Sequence, residues 1–359
     1  MKQKLSVAPT LKNYDKKNLP KDILAGIIIM AVSIPISMGY AQISGLPAVY
    51  GLYGSVFPII LFALFSTSPQ FIFGVDAAPA ALVGAAVLGM GIEAGSKEAM
   101  TVVPVFTFFV ALWLLAFYFM NAGKLVNYIS APVMGGFITG ICTTIILMQA
   151  PKLMGSAAGT GELFELSEHI WEALHHINAA ALVMGIVALA ILVVSKRLVP
   201  KFPMAVVLMV TGALFTYFGP VKEWGVPTLS AVEPGMPRWY IPDFEAVFSV
   251  QKASEVIVLS LSVAVVIMAE TLLAENNFAQ KNGYRIDDNT ELLAFSIGNM
   301  AAAFTGCCPI NGSVSRTAMS EQYEGKTQLT GLVAGVSMIA VLLLSLIHIS
   351  EPTRHSLIS

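Results

Sequence analysis

Charged residues are scarce in this sequence. Asp, Glu, Lys and Arg make up 12% of its 359 residues, against about 25% in a typical soluble domain. Hydrophobic residues make up 56%, and the mean hydropathy is +0.75. A soluble fold of this length could not bury so much apolar surface. The composition therefore excludes a soluble globular protein and predicts an all-α polytopic membrane protein.

Cysteine is rare as well, and Cys142, Cys307 and Cys308 lie in or beside apolar runs. This placement argues against a disulfide framework, and the adjacent pair fits small packing residues better than a redox or metal site. The histidines of residues 155–178 belong to a polar excursion and are expected to be solvated. The sequence contains no nucleophile–base pair, phosphate loop or metal-ligand cluster, so we expect neither an enzyme, nor a cofactor, nor a nucleic-acid partner.

Apolar runs follow one another along the chain and predict eleven spans, two of them half-length helices. Pro35 should kink or interrupt the first span. Residues 155–178 carry apolar side chains at helical spacing, which predicts an amphipathic helix on the membrane surface. The predicted spans are 23–46, 49–65, 77–92 (half), 102–120, 126–148, 179–194, 203–218, 256–273, 291–304, 313–322 (half) and 329–343.

Two stretches interrupt these runs with residues that break helical geometry. Cys307–Thr317, C-C-P-I-N-G-S-V-S-R-T, contains Pro309, Gly312 and the charged Arg316, and Gln70–Pro79 reads Q-F-I-F-G-V-D-A-A-P. In hydrocarbon, non-helical backbone survives only where protein buries it or where it lines a wet cavity. Each stretch is therefore predicted to be a short extended segment followed by a helix that begins partway across the membrane. Paired interruptions of this kind indicate the binding site of a transporter.

The distribution of Lys and Arg predicts the orientation of the chain. With the N-terminus in the cytoplasm, thirteen basic residues lie inside and five outside, while Arg316 lies within the membrane. We therefore expect a multi-pass protein of the inner (plasma) membrane with a cytoplasmic N-terminus. The inner set is Lys2, Lys4, Lys12, Lys16, Lys17, Lys21, Lys124, Lys196, Arg197, Lys201, Lys281, Arg285 and Lys326, and the outer set is Lys97, Lys152, Lys222, Arg238 and Lys252.

The order and orientation of the predicted spans divide the chain into two repeats of opposite orientation, an inverted repeat. The half-helix after Phe73 would enter the membrane from the inside and the one after Cys308 from the outside. The predicted parts are a cytoplasmic N-terminal tail (1–22), a first transmembrane repeat (23–219), an extracellular loop (220–252) and a partial second transmembrane repeat (253–343).

The last residues, 344–359, are expected not to belong to this fold. Leu344–Arg354 reads L-S-L-I-H-I-S-E-P-T-R, and a common sequencing-library transposase adapter translates to the same string. We expect that the reading frame runs into adapter DNA and that the natural protein continues. Amplification of the locus from source DNA would contradict this expectation if the same tail were encoded there.

Four short motifs follow one another along the chain. They are P-x-x-x-x-Y-A-x-x-x-G-L-P-x-x-Y-G-L-Y at 35–53, F-G-V-D-A-A-P at 73–79, A-E-T-L-L-A at 269–274, and G-S-V-S-R-T-A at 312–318 followed by G-K-T-Q-L at 325–329. Together they resemble the signatures of the sulfate permease (SulP) family of inorganic anion transporters. The resemblance covers about residues 19–343, and it departs from the family's G-P-D-A element at Val75, where Pro is usual.

The resemblance implies a seven-plus-seven inverted-repeat fold, like that of the uracil permeases, with two broken half-helices and with core and gate domains. About eleven of its fourteen spans would be present. It also implies a cytoplasmic C-terminal STAS domain, which is absent from this sequence, so we expect a C-terminally truncated member of the family. The implied partners are an inorganic anion, the lipid bilayer and, because members form dimers, a second copy of the chain.

Four ionisable residues lie within apolar runs or at their ends, where charge is costly and usually faces a cavity or a partner. Asp76 begins the first half-helix and either caps its N–H groups or contacts substrate. Arg316 begins the second half-helix and either attracts an anion or pairs with Asp76 or Glu270. Glu270 stands, by resemblance, where the family has an acidic residue linked to cation coupling. Because burial disfavours a charged carboxylate, Glu270 could take up a proton or help to bind Na⁺; a structural role stays open. The fourth residue is Glu291.

By resemblance, the anion would lie between the two half-helix N-termini and bind to backbone N–H groups and hydroxyls. Ile36 stands where many relatives have glutamine, which removes one polar contact. The expected binding residues are Tyr40, Asp76, Ala77, Ala78, Ser313, Val314, Ser315 and Arg316, with Glu270 for cation coupling.

These features predict a secondary active transporter of an inorganic anion that works by alternating access and is coupled to H⁺ or Na⁺. Sulfate is the default substrate by the family's name, while bicarbonate, chloride and dicarboxylates stay open. A nucleobase permease of the same fold would favour side-chain acceptors over Arg316 and serine donors. A passive anion channel or an exchanger would hardly respond to Glu270→Gln. A non-transporting membrane scaffold would take up no labelled anion.

Overall fold

The computed structural model describes residues 7–12, 14–128, 131–157, 159, 163–199, 202–221, 223–228, 235–248 and 253–350. The chain forms two compact units, residues 1–130 with 232–359, and residues 131–231. The first unit therefore combines helices from both predicted repeats.

The first unit carries the broken segments, and two short strands lie among its helices. Its helices are α1 (Leu19–Ile43), α2 (Ala48–Gly54), α3 (Phe57–Phe65), α4 (Ala77–Gly89), α5 (Lys97–Phe119), α10 (Phe244–Phe248), α11 (Ala253–Asn282), α12 (Asp288–Phe304), α13 (Val314–Gln322) and α14 (Leu329–Ser350), and its strands are β1 (Phe73–Gly74) and β2 (Asn311–Gly312).

The second unit is helical in its described residues. It contains α6 (Ala131–Leu153), the amphipathic α7 (Leu163–His175), α8 (Ala179–Leu198) and α9 (Met204–Phe218). In α7 the buried side chains are Leu166 and Ala173, whereas Trp171 is largely exposed. The amphipathic helix predicted within residues 155–178 is therefore present.

Five stretches in the described part of the chain are long and apolar enough to cross a bilayer, and α4, α9 and the first part of α14 are shorter apolar helices. The short length of α4 agrees with a half-helix. The five stretches are Lys16–Ile43, Ala48–Phe65, Lys97–Phe119, Ala179–Leu198 and Ala253–Asn282.

Helix α1 runs through Pro35 without interruption. A proline inside a helix lacks one N–H donor and crowds the carbonyl group four residues earlier, yet α1 continues past it. A Cβ on Gly51 of α2 would lie 1.9 Å from the carbonyl oxygen of Ser37, so α2 approaches α1 as closely as a glycine allows. Helix α1 also begins at Leu19 and buries Asp22, which shortens the predicted N-terminal tail.

The second predicted span consists of two helices rather than one. Helix α2 ends at Gly54 and α3 begins at Phe57, with Pro58 in the first turn of α3. Pro58 suits this position, because the first turn of a helix leaves its N–H groups without intrahelical acceptors and a proline has none to leave unpaired.

Helix α11 is longer than predicted. The predicted eighth span ends at Leu273, but the helix continues to Asn282. Ala274, Phe278 and Ala279 are buried in this extension. Packing of these apolar residues, which recur at helical spacing, outweighs the polar residues between them.

Strands β1 and β2 pair antiparallel, with Phe73 opposite Gly312 and Gly74 opposite Asn311. Phe73 stacks on Phe62 at 4.5 Å and on Phe295 at 5.4 Å between ring centroids. These contacts fix β1 against α3 and α12. The two broken segments, which are far apart in sequence, thus meet in one place.

Side chains satisfy the extended backbone that leads into β2. The amide of Asn299 donates to the carbonyl of Ile310 at 3.0 Å and accepts from its N–H at 2.9 Å, as a neighbouring strand would. The hydroxyl of Thr107 donates to the carbonyl of Cys307 at 2.9 Å. Buried non-helical backbone is costly unless it is paired in this way.

Helix α14 includes Leu344–Ser350, beyond the predicted end of the last span at Leu343. Residues 351–359 of the expected adapter-derived tail lie outside the described part of the chain. The same holds for Lys2 and Lys4 of the N-terminal tail.

Candidate functional site

The first half-helix, α4, begins at a carboxylate cap. Asp76 is the N-cap residue, and its Oδ1 accepts a hydrogen bond from the N–H of Ala77 at 2.7 Å. The Asp76 side chain stays 17% exposed. The sequence left two roles open for Asp76, a helix cap and a substrate contact. The cap is present in the structure, and part of the carboxylate remains accessible.

Arg316 of the second half-helix, α13, is fully buried. Its Nη2 donates to the carbonyl of Val75 at 2.6 Å and lies 3.5 Å from Asp76 Oδ2, while Nη1 lies 3.4 Å from the hydroxyl of Ser33. Arg316 thus joins the two half-helices, with Asp76 rather than Glu270 as its ion-pair partner. Its charge acts on the site from within the protein.

Free backbone donors remain at both half-helix N-termini. Helix geometry leaves the first N–H groups of α13, from Val314 onwards, without an intrahelical acceptor, and Val314 and Ser315 are exposed. At α4 the N–H of Ala77 is taken by Asp76, and residue 79 is a proline, so Ala78 supplies the free N–H there. An anion is stabilised by such groups and by the positive ends of both helix dipoles.

The hydroxyls at α13 are close to one another. The side chains of Ser313 and Ser315 lie 3.3 Å apart between oxygens, and the N–H of Ser313 donates to the carbonyl of Ile72 at 2.8 Å. Ser313 is buried and Ser315 exposed. Ser315 can therefore donate outward while Ser313 fixes the start of the helix.

Tyr40 of α1 lies close enough to Asp76 and Arg316 for their charges to act on its phenol. It is partly buried, as is Ile36 one helical turn earlier. The structure therefore brings the predicted contribution of the first span to the same place as both half-helices.

Glu270 of α11 contacts β2 directly. Its Oε2 accepts a hydrogen bond from the side-chain amide of Asn311 at 2.8 Å, and Asp76 is close enough to act on its charge. The neighbouring Thr271 accepts from the N–H of Gly312 at 3.1 Å. Glu270 is therefore hydrogen-bonded to the strand that precedes the second half-helix.

Several residues that build this site were missed by the sequence analysis. A Cβ on Gly74 would lie 2.9 Å from Arg316 Nη1, so this glycine makes room for the guanidinium. Ser33, Asn311 and Thr271 hold charged groups or strand backbone in place. Gly74 and Asn311 belong to the two stretches that interrupt the apolar runs, and the charged residues in or near those stretches could have suggested their roles. No sequence pattern distinguishes Ser33 from the other polar residues of its span.

Glu291 lies elsewhere. It is buried at the start of α12 and accepts hydrogen bonds from Ser66, Thr67 and Ser68. The structure thus assembles Asp76, Glu270 and Arg316 around the half-helices and separates Glu291 from them.

The family model described as the sulfate permease family matches residues 19–355. The chain belongs to the sulfate permease family. This family is one of transporters rather than enzymes, and its members are multi-pass membrane proteins.

Sulfate permease relatives of known name match most of the chain. A probable sulfate transporter of Mycobacterium tuberculosis is 27% identical over 323 residues, which cover 90% of this chain and 57% of the relative. The human protein named sulfate transporter is 26% identical over an alignment of 390 positions including gaps, and the alignment covers 94% of this chain and 51% of the relative. The chain spans about half the length of the curated relatives it matches.

Solved structures of two other proteins share the fold. The structure of SLC26A9 superposes with a TM-score of 0.79 at 23% identity and covers 92% of this chain and 55% of its own. The transmembrane domain of the cyanobacterial bicarbonate transporter BicA gives a TM-score of 0.73 at 20% identity, with 92% and 84% covered. The predicted all-α transporter fold is thereby confirmed.

Proposed function

We propose that this chain carries the binding site of a secondary active transporter for an inorganic anion, with sulfate as the first candidate substrate. The observation that carries the proposal is the β1–β2 pairing, which brings two half-helix N-termini together beside Arg316 and Asp76. The names of the sulfate transporters among its relatives support sulfate. Bicarbonate is the second candidate, because a protein of the same fold is named as its transporter.

The donors at the site suit an anion that must bind and leave again. Neutral N–H groups of Ala78, Val314 and Ser315 and the hydroxyl of Ser315 would contact it, with Tyr40 close by. Because Arg316 is buried and already donates to Val75, it contributes positive potential without a direct contact that would trap the ion. This division favours an anion over a nucleobase, which would need side-chain acceptors.

The charges around the site give a reason for cation coupling. Asp76 and Glu270 lie near each other, and Arg316 is the cation paired with Asp76. A bound anion therefore meets one uncompensated carboxylate, and opposing charges at low dielectric are costly. A proton on Glu270, or a Na⁺ ion beside it, would remove that cost. We infer that Glu270 couples the anion to H⁺ or Na⁺ in an alternating-access cycle.

The test uses protein expressed from the source gene and reconstituted in liposomes. Uptake of labelled sulfate and labelled bicarbonate is measured with and without an inward proton or Na⁺ gradient. We expect one gradient to accelerate uptake and Glu270→Gln to abolish that acceleration. Glu93→Gln, at an exposed loop position, is the matched control and should keep it.

Each outcome separates the proposal from its competitors. Uptake that is indifferent to both gradients would overturn coupling and point to an exchanger or a channel. No uptake of any labelled anion by a correctly folded protein would point to a scaffold. A homodimer and a cytoplasmic N-terminus are part of the same proposal, and cross-linking and protease accessibility in oriented vesicles test them.

A further inference from the structure

Glu275 is a buried carboxyl group that the proposed transport mechanism does not use. It lies in the unpredicted extension of α11 and is 0% exposed. Neither of its oxygens has a hydrogen-bond donor among the described residues. An ionised carboxylate in that position would carry a full charge without solvent, donor or cation, which is one of the most costly arrangements in a protein.

The group that Glu275 faces is another buried carboxyl. Glu291 of α12 is also 0% exposed, and its carboxyl group lies close enough to that of Glu275 for each to act on the other's charge. Donor groups surround Glu291. Its carboxylate accepts hydrogen bonds from the hydroxyls of Ser66 and Thr67 and from the backbone N–H groups of Thr67 and Ser68. Its environment is that of an ionised carboxylate.

The other titratable groups that face Glu275 supply no positive charge. Asp288 of α12 acts on it as a further carboxylate, and the phenol of Tyr284 lies near both glutamates. The nearby Lys281 forms its ion pair with Glu321, at 2.6 Å. None of the ion pairs found in the described part of the chain includes Glu275 or Glu291.

Two carboxylates cannot hydrogen-bond to each other, since both are acceptors, but a carboxyl group can donate to a carboxylate. We propose that Glu275 and Glu291 form such a pair and bind one proton, with the proton on Glu275 and its O–H donated to Glu291. The proton comes from water and returns to water, and no other bond changes. One proton removes one of two like charges and supplies the donor that Glu275 lacks.

This proton site is separate from Glu270. The two positions are five residues apart on α11, which corresponds to about 7.5 Å along the helix axis. The pair connects α11 and α12 to residues 66–68, the segment that leads into β1 and the first half-helix. Among the described residues, no group of three or more His, Cys, Asp or Glu side chains is placed to hold a metal ion.

Infrared titration of the purified protein tests the proposal without transport. The carbonyl stretch of a protonated carboxyl group is followed as the pH is raised past the range in which exposed carboxyl groups lose their protons. We expect the wild type to retain a protonated-carboxyl band there, and we expect Glu275→Gln to lose the part of that band that does not come from Glu270. Glu93→Gln should retain it. Glu270→Gln should also retain it, which separates this band from any contribution of Glu270.

Retention of the full band in Glu275→Gln, or its absence from the wild type, would overturn the proposal. Loss of the band on replacing K⁺ by Na⁺ at constant pH would also overturn it, in favour of a cation site. These outcomes are independent of whether the protein transports sulfate.

Thermal unfolding gives a second readout. The wild type should lose thermal stability when alkaline pH removes the shared proton. Glu275→Gln should lack that alkaline loss, because a glutamine amide donates to Glu291 at any pH. Glu275→Met, which is neutral at every pH, should lack it too and serves if the glutamine variant folds poorly. An alkaline loss of equal size in all three proteins contradicts the pair.

Discussion

Arg316 and Asp76 lie 3.5 Å apart between Nη2 and Oδ2, and they join the first turn of one half-helix to the cap of the other. Arg316 is buried, whereas Asp76 is partly exposed and also caps α4 through the N–H of Ala77. The pair thus fixes both half-helix N-termini while leaving their free N–H groups accessible.

A double-mutant cycle on Asp76→Asn and Arg316→Gln should give a coupling energy of about 1–2 kcal/mol in the free energy of unfolding. Arg316→Gln alone should cost about 3 kcal/mol, because Asp76 and the Val75 carbonyl both lose their donor. The control pair is Lys21 and Glu324, whose side chains are 46% and 41% exposed and which should couple by about 0.5 kcal/mol or less. Denaturant titration in detergent micelles measures both cycles. Equal coupling in the two would contradict the role given to Arg316.

Gly74→Ala should destabilise the protein by about 1–3 kcal/mol, because the new methyl group would lie 2.9 Å from Arg316 Nη1 and overpack a buried site. Gly89→Ala is the matched control, since a Cβ there has no neighbour within 4 Å and alanine is a better helix former. Its stability should be unchanged or slightly higher. The melting temperatures of both variants are compared with that of the wild type. An unchanged melting temperature in Gly74→Ala would mean that the guanidinium of Arg316 can move away from the new methyl group.

Thr271→Val should cost about 1–3 kcal/mol, because the buried N–H of Gly312 would lose its acceptor while the side-chain volume hardly changes. The anion uptake proposed above should fall as well, since β2 is released from α11. Thr101→Val serves as a control: its hydroxyl bonds to the Lys97 carbonyl at an exposed position, and its loss should change little. Similar unfolding free energies for the two variants would show that Thr271 does not hold β2.

Tyr14 should make stability depend on pH in the alkaline range. Burial and the carboxylate of Asp22, which accepts a hydrogen bond from the Tyr14 hydroxyl at 3.1 Å, raise the pKa of Tyr14 to about 12. The folded protein therefore keeps a proton that the unfolded chain loses near pH 10, so the contribution of Tyr14 to stability falls as the pH rises from about 10 to about 12. The difference in melting temperature between wild type and Tyr14→Phe should be constant up to about pH 10 and shrink above it. A difference that persists to pH 12 would contradict this assignment.

The broken segments could be predicted because their signals are local. Pro309, Gly312 and the polar residues after them are incompatible with a continuous membrane helix, and Asp76 stands where a helix needs a cap. Part of the α11 extension could also have been predicted, because one helical face carries Leu272, Glu275, Phe278 and Ala279. The count of polar residues between Ala274 and Asn289 hid that periodicity.

The sequence by itself determined that this chain spans a membrane, where its two half-helices begin, and to which family it belongs, because hydrophobic runs, helix-breaking residues and ordered motifs depend on neighbours along the chain. Only the tertiary structure decided that Arg316 pairs with Asp76, that Asn311 donates to Glu270, and that Glu275 faces Glu291. Those partners are distant in sequence or on different elements. Which of several buried charges meet is fixed by how the helices pack, since a charge in a low-dielectric interior must find its compensation in whatever group the packing places beside it.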